Sequence, residues 1–257
     1  MSEGYVRKPD PFPDLWRGRR VGVLDALMWG RYQVRERRAF WFVTGLETVE
    51  SFFPFIRGWN ANTHFNGGYD LAWQEFLEWF QETQGEALSQ DWFVKPLRDC
   101  QGDHECAALV FLDLVAEYVE RFGPTPRGKA GAMDEKIAAL YGPLPGEWGG
   151  RQVETLDALL WIRRRMLEGQ PLSFITGENT LDSLYCFING WIRNTSFNDL
   201  ENSRDSAVAQ FWTWLRDVKK ENRGAGWHVE YLRDCQGDHR KAALKFLDFA
   251  AEFMASR

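Results

Sequence analysis

The chain has 257 residues, which is long for one domain and sufficient for two domains of about 100–130 residues each. Hydrophobic residues make up 44% of it, with 13 Trp and 19 Phe, so the composition excludes global disorder and each half can bury a core. The net charge of −6 disfavours a nucleic-acid-binding protein, because such surfaces normally carry an excess of Lys and Arg.

The first sixteen residues, MSEGYVRKPDPFPDLW, contain no apolar stretch of the kind found in a secretory signal. No run approaches the roughly 20 apolar residues that span a bilayer, so no membrane contact is expected. Four cysteines are too few for a disulfide scaffold in a chain of this size. The sequence therefore predicts a reduced protein in the cytoplasm. The cysteines are Cys100, Cys106, Cys186 and Cys235.

An internal repeat dominates the sequence. Two segments of 24 residues, beginning at Leu97 and Leu232, are identical at 16 positions and share their first eight residues, LRDCQGDH. Further upstream, FIRGWNANTHFN from Phe55 matches FINGWIRNTSFN from Phe187 at an offset of 132, whereas the later matches have an offset of 135. The three extra residues therefore lie near 199–206. Collinear matches over about a hundred residues predict a tandem duplication.

Gly, Pro and charged residues interrupt the apolar pattern between the two repeats, within 123–136. We therefore expect two self-sufficient helical domains, copy one at residues 1–122 and copy two at residues 148–257. The intervening residues 123–147 are expected to form a linker with a short amphipathic helix at KIAALYG.

Each copy is predicted to contain four helices, which makes the fold class mainly α. In copy two the predicted helices cover 153–169, 179–194, 205–222 and 237–254. The second of these begins at Asn179 or Thr180, which are favourable N-cap residues. Copy one repeats this plan, with Pro54 expected to kink or shorten its second helix. The runs WFVTG and LSFITG, between the first and second helices, are expected to be extended.

The duplicated DCQGDH motif allows two interpretations. Its carboxylate, thiol and imidazole groups could bind a metal or form a thiol active site. Alternatively, the Gly ends a loop, the second Asp caps a helix and the His opens its first turn. We favour the structural interpretation because no CxxC or second Cys/His pair accompanies either motif, and we expect no metal, cofactor or catalytic residue. The motif residues are Asp99, Cys100, Asp103 and His104, and Asp234, Cys235, Asp238 and His239.

The aromatic residues of the FIxGW segments also allow two interpretations. Trp59 and Trp191 could stack on a ligand, but each lies four residues after a Phe and therefore on the same helix face. Aromatic residues at this spacing usually form core. The Asn-Thr pairs that follow, from Asn62 and Asn194, are expected to end the helix and bond to backbone in the turn.

Charge distinguishes the two copies. Residues 67–120 contain 12 acidic and 2 basic residues, a net charge of −10, whereas residues 199–255 contain 10 acidic and 9 basic residues, a net charge of −1. The excess could be drift on solvated faces. It could also form an acidic surface that attracts a basic protein and repels nucleic acid. Two acidic stripes at helical spacing carry it: Glu75, Glu78 and Glu82, and Asp113, Glu117 and Glu120.

In copy two, PLSFITG, LYCFINGW, FWTWL and GDHRKAALKFLDF follow one another between residues 171 and 249. This order resembles a group of small bacterial helical proteins, some of which accompany polymorphic or contact-dependent toxins as immunity proteins. Copy one supplies WFVTG, FPFIRGW, EFLEWF and GDHECAALVFLDL but lacks the leading proline. The resemblance implies a helical protein that binds and neutralises a toxin domain, and it carries no catalytic residues.

Three functions remain open from the sequence. The first is an immunity-type binding protein whose copy one meets a basic toxin domain. The second is a metal- or thiol-dependent enzyme built on DCQGDH, and the third is a structural or adaptor protein that forms an oligomer. The sequence does not determine the oligomeric state.

Overall fold

The computed structural model describes residues 19–36, 41–125, 148, 151–198, 206–221 and 226–257. Within these ranges the chain is helical and contains no strand, so the mainly α fold class is confirmed. The helices of copy one are α1 (Val23–Arg35), α2 (Trp41–Thr44), α3 (Phe52–Phe65), α4 (Leu71–Gln84), α5 (Val94–Asp99) and α6 (His104–Phe122). Those of copy two are α7 (Thr155–Leu167), α8 (Ser173–Thr176), α9 (Leu181–Asn198), α10 (Ser206–Asp217), α11 (Trp227–Asp234) and α12 (His239–Ala255).

The four long helices predicted for each copy are present, but each copy also contains two short helices. The expectation of extended structure at WFVTG and LSFITG is wrong, because α2 and α8 each form one helical turn there. Gly45 and Gly177 end these turns at φ 98°, a conformation that glycine adopts without strain. The second pair of short helices, α5 and α11, leads into the DCQGDH motifs.

Pro54 shortens the second helix of copy one, as the sequence predicts. Its counterpart helix α9 begins at Leu181, whereas α3 begins at Phe52, three residues later in the repeat. The residues Val49–Ser51 form a 3-10 turn in place of the first α-helical turn. In copy two, the Thr180 hydroxyl caps α9 by accepting a hydrogen bond from the Ser183 N–H at 3.1 Å.

The first helix of each copy begins with the same device. Asp25 accepts from the Gly22 N–H at 3.0 Å and binds Arg19 through both carboxylate oxygens. At the offset of 132, Asp157 accepts from the Glu154 N–H at 3.0 Å and binds Arg151 in the same way. The N-termini of α1 and α7 are therefore held by a carboxylate that an arginine holds in turn.

The centre of the molecule is the pair α3 and α9. Residues late in α3 meet residues late in α9, since Asn62 lies against Trp191 and Thr195, so the two helices run parallel. Gly58 and Gly190 lie where they cross, because only a hydrogen atom fits between each glycine and the opposite backbone.

Each hydrophobic core contains an aromatic residue from the other copy. Phe65 of α3 contacts Trp161 and Trp191 of copy two, with ring centroids 5.1 and 5.8 Å apart. Its counterpart Phe197 of α9 contacts Trp29 and Trp59 of copy one at 5.3 and 5.6 Å. The sequence predicts two self-sufficient domains, whereas the structure shows cores that are completed across the central helix pair.

The expectation that Asn62-Thr63 and Asn194-Thr195 end their helices is wrong. All four lie inside α3 and α9 and bond between the helices. The Asn62 side-chain amide donates to the Thr195 hydroxyl at 2.8 Å, and the Asn194 amide donates to the Thr63 hydroxyl at 2.7 Å. Asn and Thr can stay within these helices because the neighbouring helix supplies hydrogen-bond partners for their side chains, and the Thr195 hydroxyl also donates to the carbonyl oxygen of Trp191 in its own helix at 3.3 Å.

Several sequence-based expectations fall outside the described residues. These are the short helix at KIAALYG, nearly all of the linker and the insertion at 199–205. The domain boundaries near residues 122 and 148 accordingly stay predictions. Across the described ranges, no helix has both the length and the apolar composition needed to cross a bilayer.

Candidate functional site

The two DCQGDH motifs form the same turn between a short and a long helix. Gln101 and Gly102 have φ values of 56° and 85°, and Gln236 and Gly237 have 57° and 83°. The Asp103 carboxylate accepts from the Cys106 N–H at 3.0 Å, and the Asp238 carboxylate accepts from the Lys241 N–H at 2.9 Å. These are the N-caps of α6 and α12 that the structural interpretation predicts.

The histidine of each motif caps a second helix. His104 Nδ1 accepts from the Val49 N–H at 3.3 Å, at the start of the turn that leads into α3. His239 Nδ1 accepts from the Leu181 N–H at 3.1 Å, at the first residue of α9. Each motif therefore joins the last helix of its copy to one helix of the central pair.

The cysteines differ between the two motifs. Cys100 and Cys106 form a disulfide, with Cα atoms 5.9 Å apart, whereas Cys235 is a buried free thiol and Lys241 replaces the second cysteine. The prediction that all four cysteines are reduced is therefore wrong for this pair. Position 106 lies on the first turn of α6, only six residues from position 100, and the Gln101-Gly102 turn folds the chain back between them. The six-residue separation of Cys100 and Cys106 is visible in the sequence, but the turn that brings their side chains together is not.

The arrangement offers little to a thiol or metal mechanism on DCQGDH. The Cys100 thiol is oxidised, Cys235 is buried, and both histidines use Nδ1 for backbone capping. Asp99 lies at the surface 3.5 Å from Arg98, and Asp234 accepts from Lys245 at 2.9 Å. In the part of the chain that the structure describes, no group of three or more His, Cys, Asp or Glu is placed to hold a metal ion. Trp59 and Trp191 are buried in the core, 0% and 1% exposed.

The two acidic stripes of copy one lie on neighbouring helices. Tyr118 of α6 contacts Phe76 and Trp79 of α4 with ring centroids 5.5 Å apart in both cases, so the helices meet at this aromatic seam. Glu78 precedes Trp79, and Glu117 precedes Tyr118. The two stripes therefore lie on helices that contact each other, and Glu78 and Glu117 are exposed neighbours in sequence of the contact residues.

Not every residue of the stripes is available to a partner. Asp113 accepts from Arg31 at 2.6 Å and from Arg35 at 2.8 Å, so two arginines of α1 neutralise it. Glu75 is half-buried and already interacts within the chain. The other four carboxylates are exposed and have no ion-pair partner among the described residues. We call these four the acidic face: Glu78, Glu82, Glu117 and Glu120.

The matching positions of copy two are either uncharged or paired with a basic residue. Thr213 and Ala255 replace Glu78 and Glu120. Asp217, the counterpart of Glu82, is hydrogen-bonded to Arg216 at 2.7 Å. Glu252, the counterpart of Glu117, is hydrogen-bonded to Lys219. The difference between the copies is thus one of unneutralised charge and not only of composition.

A second polar cluster exists only in copy two, and sequence analysis missed it. The rings of Tyr185 and His228 are stacked with centroids 4.2 Å apart, and Nε2 of His228 lies 3.9 Å from a carboxylate oxygen of Asp182. Copy one has Phe53 and Phe93 in place of Tyr185 and His228. A residue-by-residue comparison of the two copies is the signal that could have found this cluster.

Burial determines how the cluster titrates. It lowers the pKa of His228, which the nearby Asp182 opposes only in part. It also raises the pKa of Glu178, which Glu50 and Asp182 raise further. The buried Cys186 thiol has a pKa well above its ordinary value for the same reason. Perturbed groups of this kind occur at functional sites and also in ordinary cores, and Nδ1 of His228 has no hydrogen-bond partner within the described chain.

A groove of about 610 Å³ runs along α12 of copy two. Its lining includes Lys241, Lys245 and Phe249, together with Cys235 and Asp238 of the motif, and no residue of copy one. Most of its charged groups are already engaged, since Lys245 binds Asp234 and Asp248 accepts from Arg163 at 2.7 Å. The groove therefore does not join the two DCQGDH motifs into one site.

Comparison with protein-family models, with curated proteins and with solved structures found no match.

Proposed function

We propose that this protein binds a basic protein domain through the acidic face of copy one and neutralises a toxin in this way. The single observation that carries the proposal is the contrast between the copies. Four exposed carboxylates of copy one have no ion-pair partner among the residues that the structure describes, whereas their counterparts in copy two are either replaced by neutral residues or bonded to Arg216 and Lys219. Folding alone does not require such a contrast.

The physical basis is electrostatic steering. Unneutralised carboxylates on one side of a molecule create a negative potential that speeds the approach of a basic partner and discourages acidic ones. All four lie on α4 and α6, two helices that contact each other. A specific interface of ordinary size would bury roughly 1,600 Å² in total, which two helices of this length can supply in large part.

The class of partner comes from the sequence resemblance to immunity proteins of bacterial toxins. A nuclease toxin domain, for example, must carry basic residues to bind its substrate, and an acidic protein that covers them occludes the active cleft. The proposed place of action is the cytoplasm of the producing cell. Copy two forms the same turn with Asp238 and His239 and with Cys235 as a free thiol, so the conformation of this turn does not depend on a disulfide.

The test is co-expression with toxin domains encoded beside the gene. Wild-type protein is expected to restore growth and to bind a catalytically inactive form of the toxin in titration calorimetry. The double variant Glu78→Lys with Glu120→Lys is expected to lower the association rate about tenfold or more at low salt. This difference should shrink as salt rises, because salt screens exposed charges.

The matched control adds the same two lysines to copy two, as Thr213→Lys with Ala255→Lys. It is expected to bind and protect like wild type. The control raises the net charge by 2 and the test variant raises it by 4, so a loss of binding in the control of half the size or more would show that net charge, and not the acidic face, drives association. Absence of a neighbouring toxin gene, or failure of the wild-type protein to protect cells from one, would remove the proposal.

A further inference from the structure

The contact between α3 and α9 is reciprocal at its closest point. A Cβ atom on Gly58 would overlap the carbonyl oxygen of Phe187, and a Cβ atom on Gly190 would overlap the carbonyl oxygen of Phe55. Gly190 and Phe187 are the counterparts of Gly58 and Phe55 at the offset of 132. Each copy therefore presents the same two features, a glycine and a carbonyl, and each receives the same two from the other.

Hydrogen bonds beyond the crossing follow the same rule. The Asn66 side-chain oxygen accepts from the Val153 N–H at 2.7 Å, and the Asn198 side-chain oxygen accepts from the Val21 N–H at 2.7 Å. Asn66 and Asn198 are counterparts, as are Val21 and Val153. Together with the Asn–Thr bonds inside the helices, four asparagine side chains connect the copies in two matching pairs.

Two arginines make the same kind of contact from different positions. Arg57 of α3 donates to the carbonyl oxygens of Phe174 and Ile175 at 2.7 and 2.9 Å. Arg193 of α9 donates to the carbonyl oxygen of Phe42, the counterpart of Phe174, at 3.1 Å. Arg57 and Arg193 are not counterparts, because they differ by one helical turn within the repeat. Each copy therefore donates an arginine hydrogen bond to the backbone of the other, although the two arginines occupy different positions in the repeat.

The exchanged phenylalanines show how much each copy depends on this surface. Phe65 and Phe197 are both 3% exposed, and each fills a space between tryptophans of the opposite copy. Removing one copy would expose Phe65 or Phe197 and open the core that it fills. Interfaces that resemble a domain core cut in half are typical of obligate dimers.

We infer that the face formed by α3 in copy one and by α9 in copy two is a dimerisation surface, and that its partner is another copy of the same helical unit. Reciprocal contact of one patch with itself is the property of a two-fold homodimer interface. The chain is then an internal dimer whose halves associate through this face and not because the linker holds them.

The experiment uses the full chain with a protease recognition sequence inserted between residues 126 and 147. After cleavage, a denaturing gel should show two fragments, whereas light scattering coupled to size exclusion should still give one species near the 29.9 kDa of the intact chain. Mixing cleaved protein with a tagged cleaved sample and capturing tagged copy two should recover untagged copy one as the units exchange.

The control is the same cleavable chain with Asn62→Ala and Asn194→Ala, which removes polar bonds between the central helices without adding bulk. Before cleavage it is expected to retain its helical circular dichroism, and after cleavage its fragments should separate at a concentration at least about tenfold higher than wild-type fragments do. If the wild-type fragments separate at micromolar concentration after cleavage, the inference is wrong. If the control fragments stay together as firmly as wild type, these contacts do not specify the pairing.

Discussion

The contact residues of α3 and α9 and the exposed positions of the outer helices differ in how closely the two copies agree. At the centre, α3 and α9 carry matching Gly, Trp, Asn, Thr and Phe residues, and the matching residues make matching contacts. On the outer helices, α6 presents Glu105 and Val110 where α12 presents Arg240 and Lys245. The central residues have to fit one another at atomic distance, whereas an outer position has to satisfy only water and any partner.

This comparison separates two kinds of evidence. Identity between the copies marks residues whose geometry is constrained by folding, including DCQGDH, which looked most like an active site. Difference between the copies marks surfaces that folding leaves free, and the acidic face is the clearest of these. In this chain, a function is therefore better sought where the copies diverge.

The largest expected effect is at the exchanged phenylalanines. Phe65→Ala should lower the free energy of unfolding by about 3–5 kcal/mol, because it leaves a cavity among buried tryptophans. Hydrogen exchange should show that the amides of α7 and α9 in copy two lose protection, although the substitution lies in copy one. Loss of protection confined to copy one would mean that the cores are independent.

A smaller effect is expected at the helix crossing. Gly58→Ala should destabilise the protein by about 1–3 kcal/mol, since the added methyl group meets the carbonyl oxygen of Phe187. The sign is informative, because the same change inside an ordinary helix stabilises by about 1 kcal/mol. Gly226→Ala is the control, as no atom lies within 4 Å of its added Cβ. Urea unfolding of both variants measures the difference, and an unchanged or raised stability of Gly58→Ala would contradict the crossing.

The DCQGDH turns sharpen the comparison further. The double substitution Cys100→Ser with Cys106→Ser is expected to lower the free energy of unfolding by about 2 kcal/mol, because it removes a cross-link that restricts the unfolded chain. Copy two has no disulfide at this position, so the effect is specific to copy one. Asp238→Ala is expected to cost about 1 kcal/mol by loss of the α12 cap. Thermal unfolding of each variant measures the loss of stability. For the disulfide, the wild-type protein is also unfolded with and without a reducing agent, and an unchanged midpoint would show that the disulfide does not contribute.

The smallest effect concerns pH and the Tyr185–His228 cluster of copy two. Since burial lowers the folded-state pKa of His228, the unfolded chain binds more protons below about pH 6.5, and stability falls as the pH decreases through that range. The slope for one proton is at most about 1.4 kcal/mol per pH unit. The raised pKa of Glu178 acts in the opposite direction, since its destabilising effect is relieved as the pH falls.

Copy one has Phe93 at the position of His228, and this difference suggests the variant for the measurement. His228→Phe, which copies Phe93, should flatten the decline in stability between about pH 7 and pH 5 as measured by urea unfolding. The unchanged Glu178 provides the internal reference, because its titration remains in both proteins. An identical decline in the variant would assign the pH dependence to other groups.

Much of the local structure was predictable because it depends on short-range physics. The Asp103 and Asp238 caps, the buried Trp59 and Trp191 and the shortening at Pro54 each follow from residues within about one helical turn. The arginine-carboxylate device of Arg19 and Asp25 was missed, although the same spacing recurs at Arg151 and Asp157 and could have revealed it. The short helices α2 and α8 were missed because a four-residue run is too short to show a helical period.

The sequence by itself determined the helical class, the order of the long helices, the helix caps and the unequal charge of the two copies, because composition and local periodicity are sufficient for these. Only the tertiary structure showed that Asn62 and Asn194 form hydrogen bonds to the opposite copy, and that Phe65 and Phe197 each pack in the core of the other copy. It also decided which acidic residues have an ion-pair partner within the described part of the chain. These features depend on contacts between side chains that are more than a hundred residues apart in the sequence, and no local sequence pattern specifies such contacts.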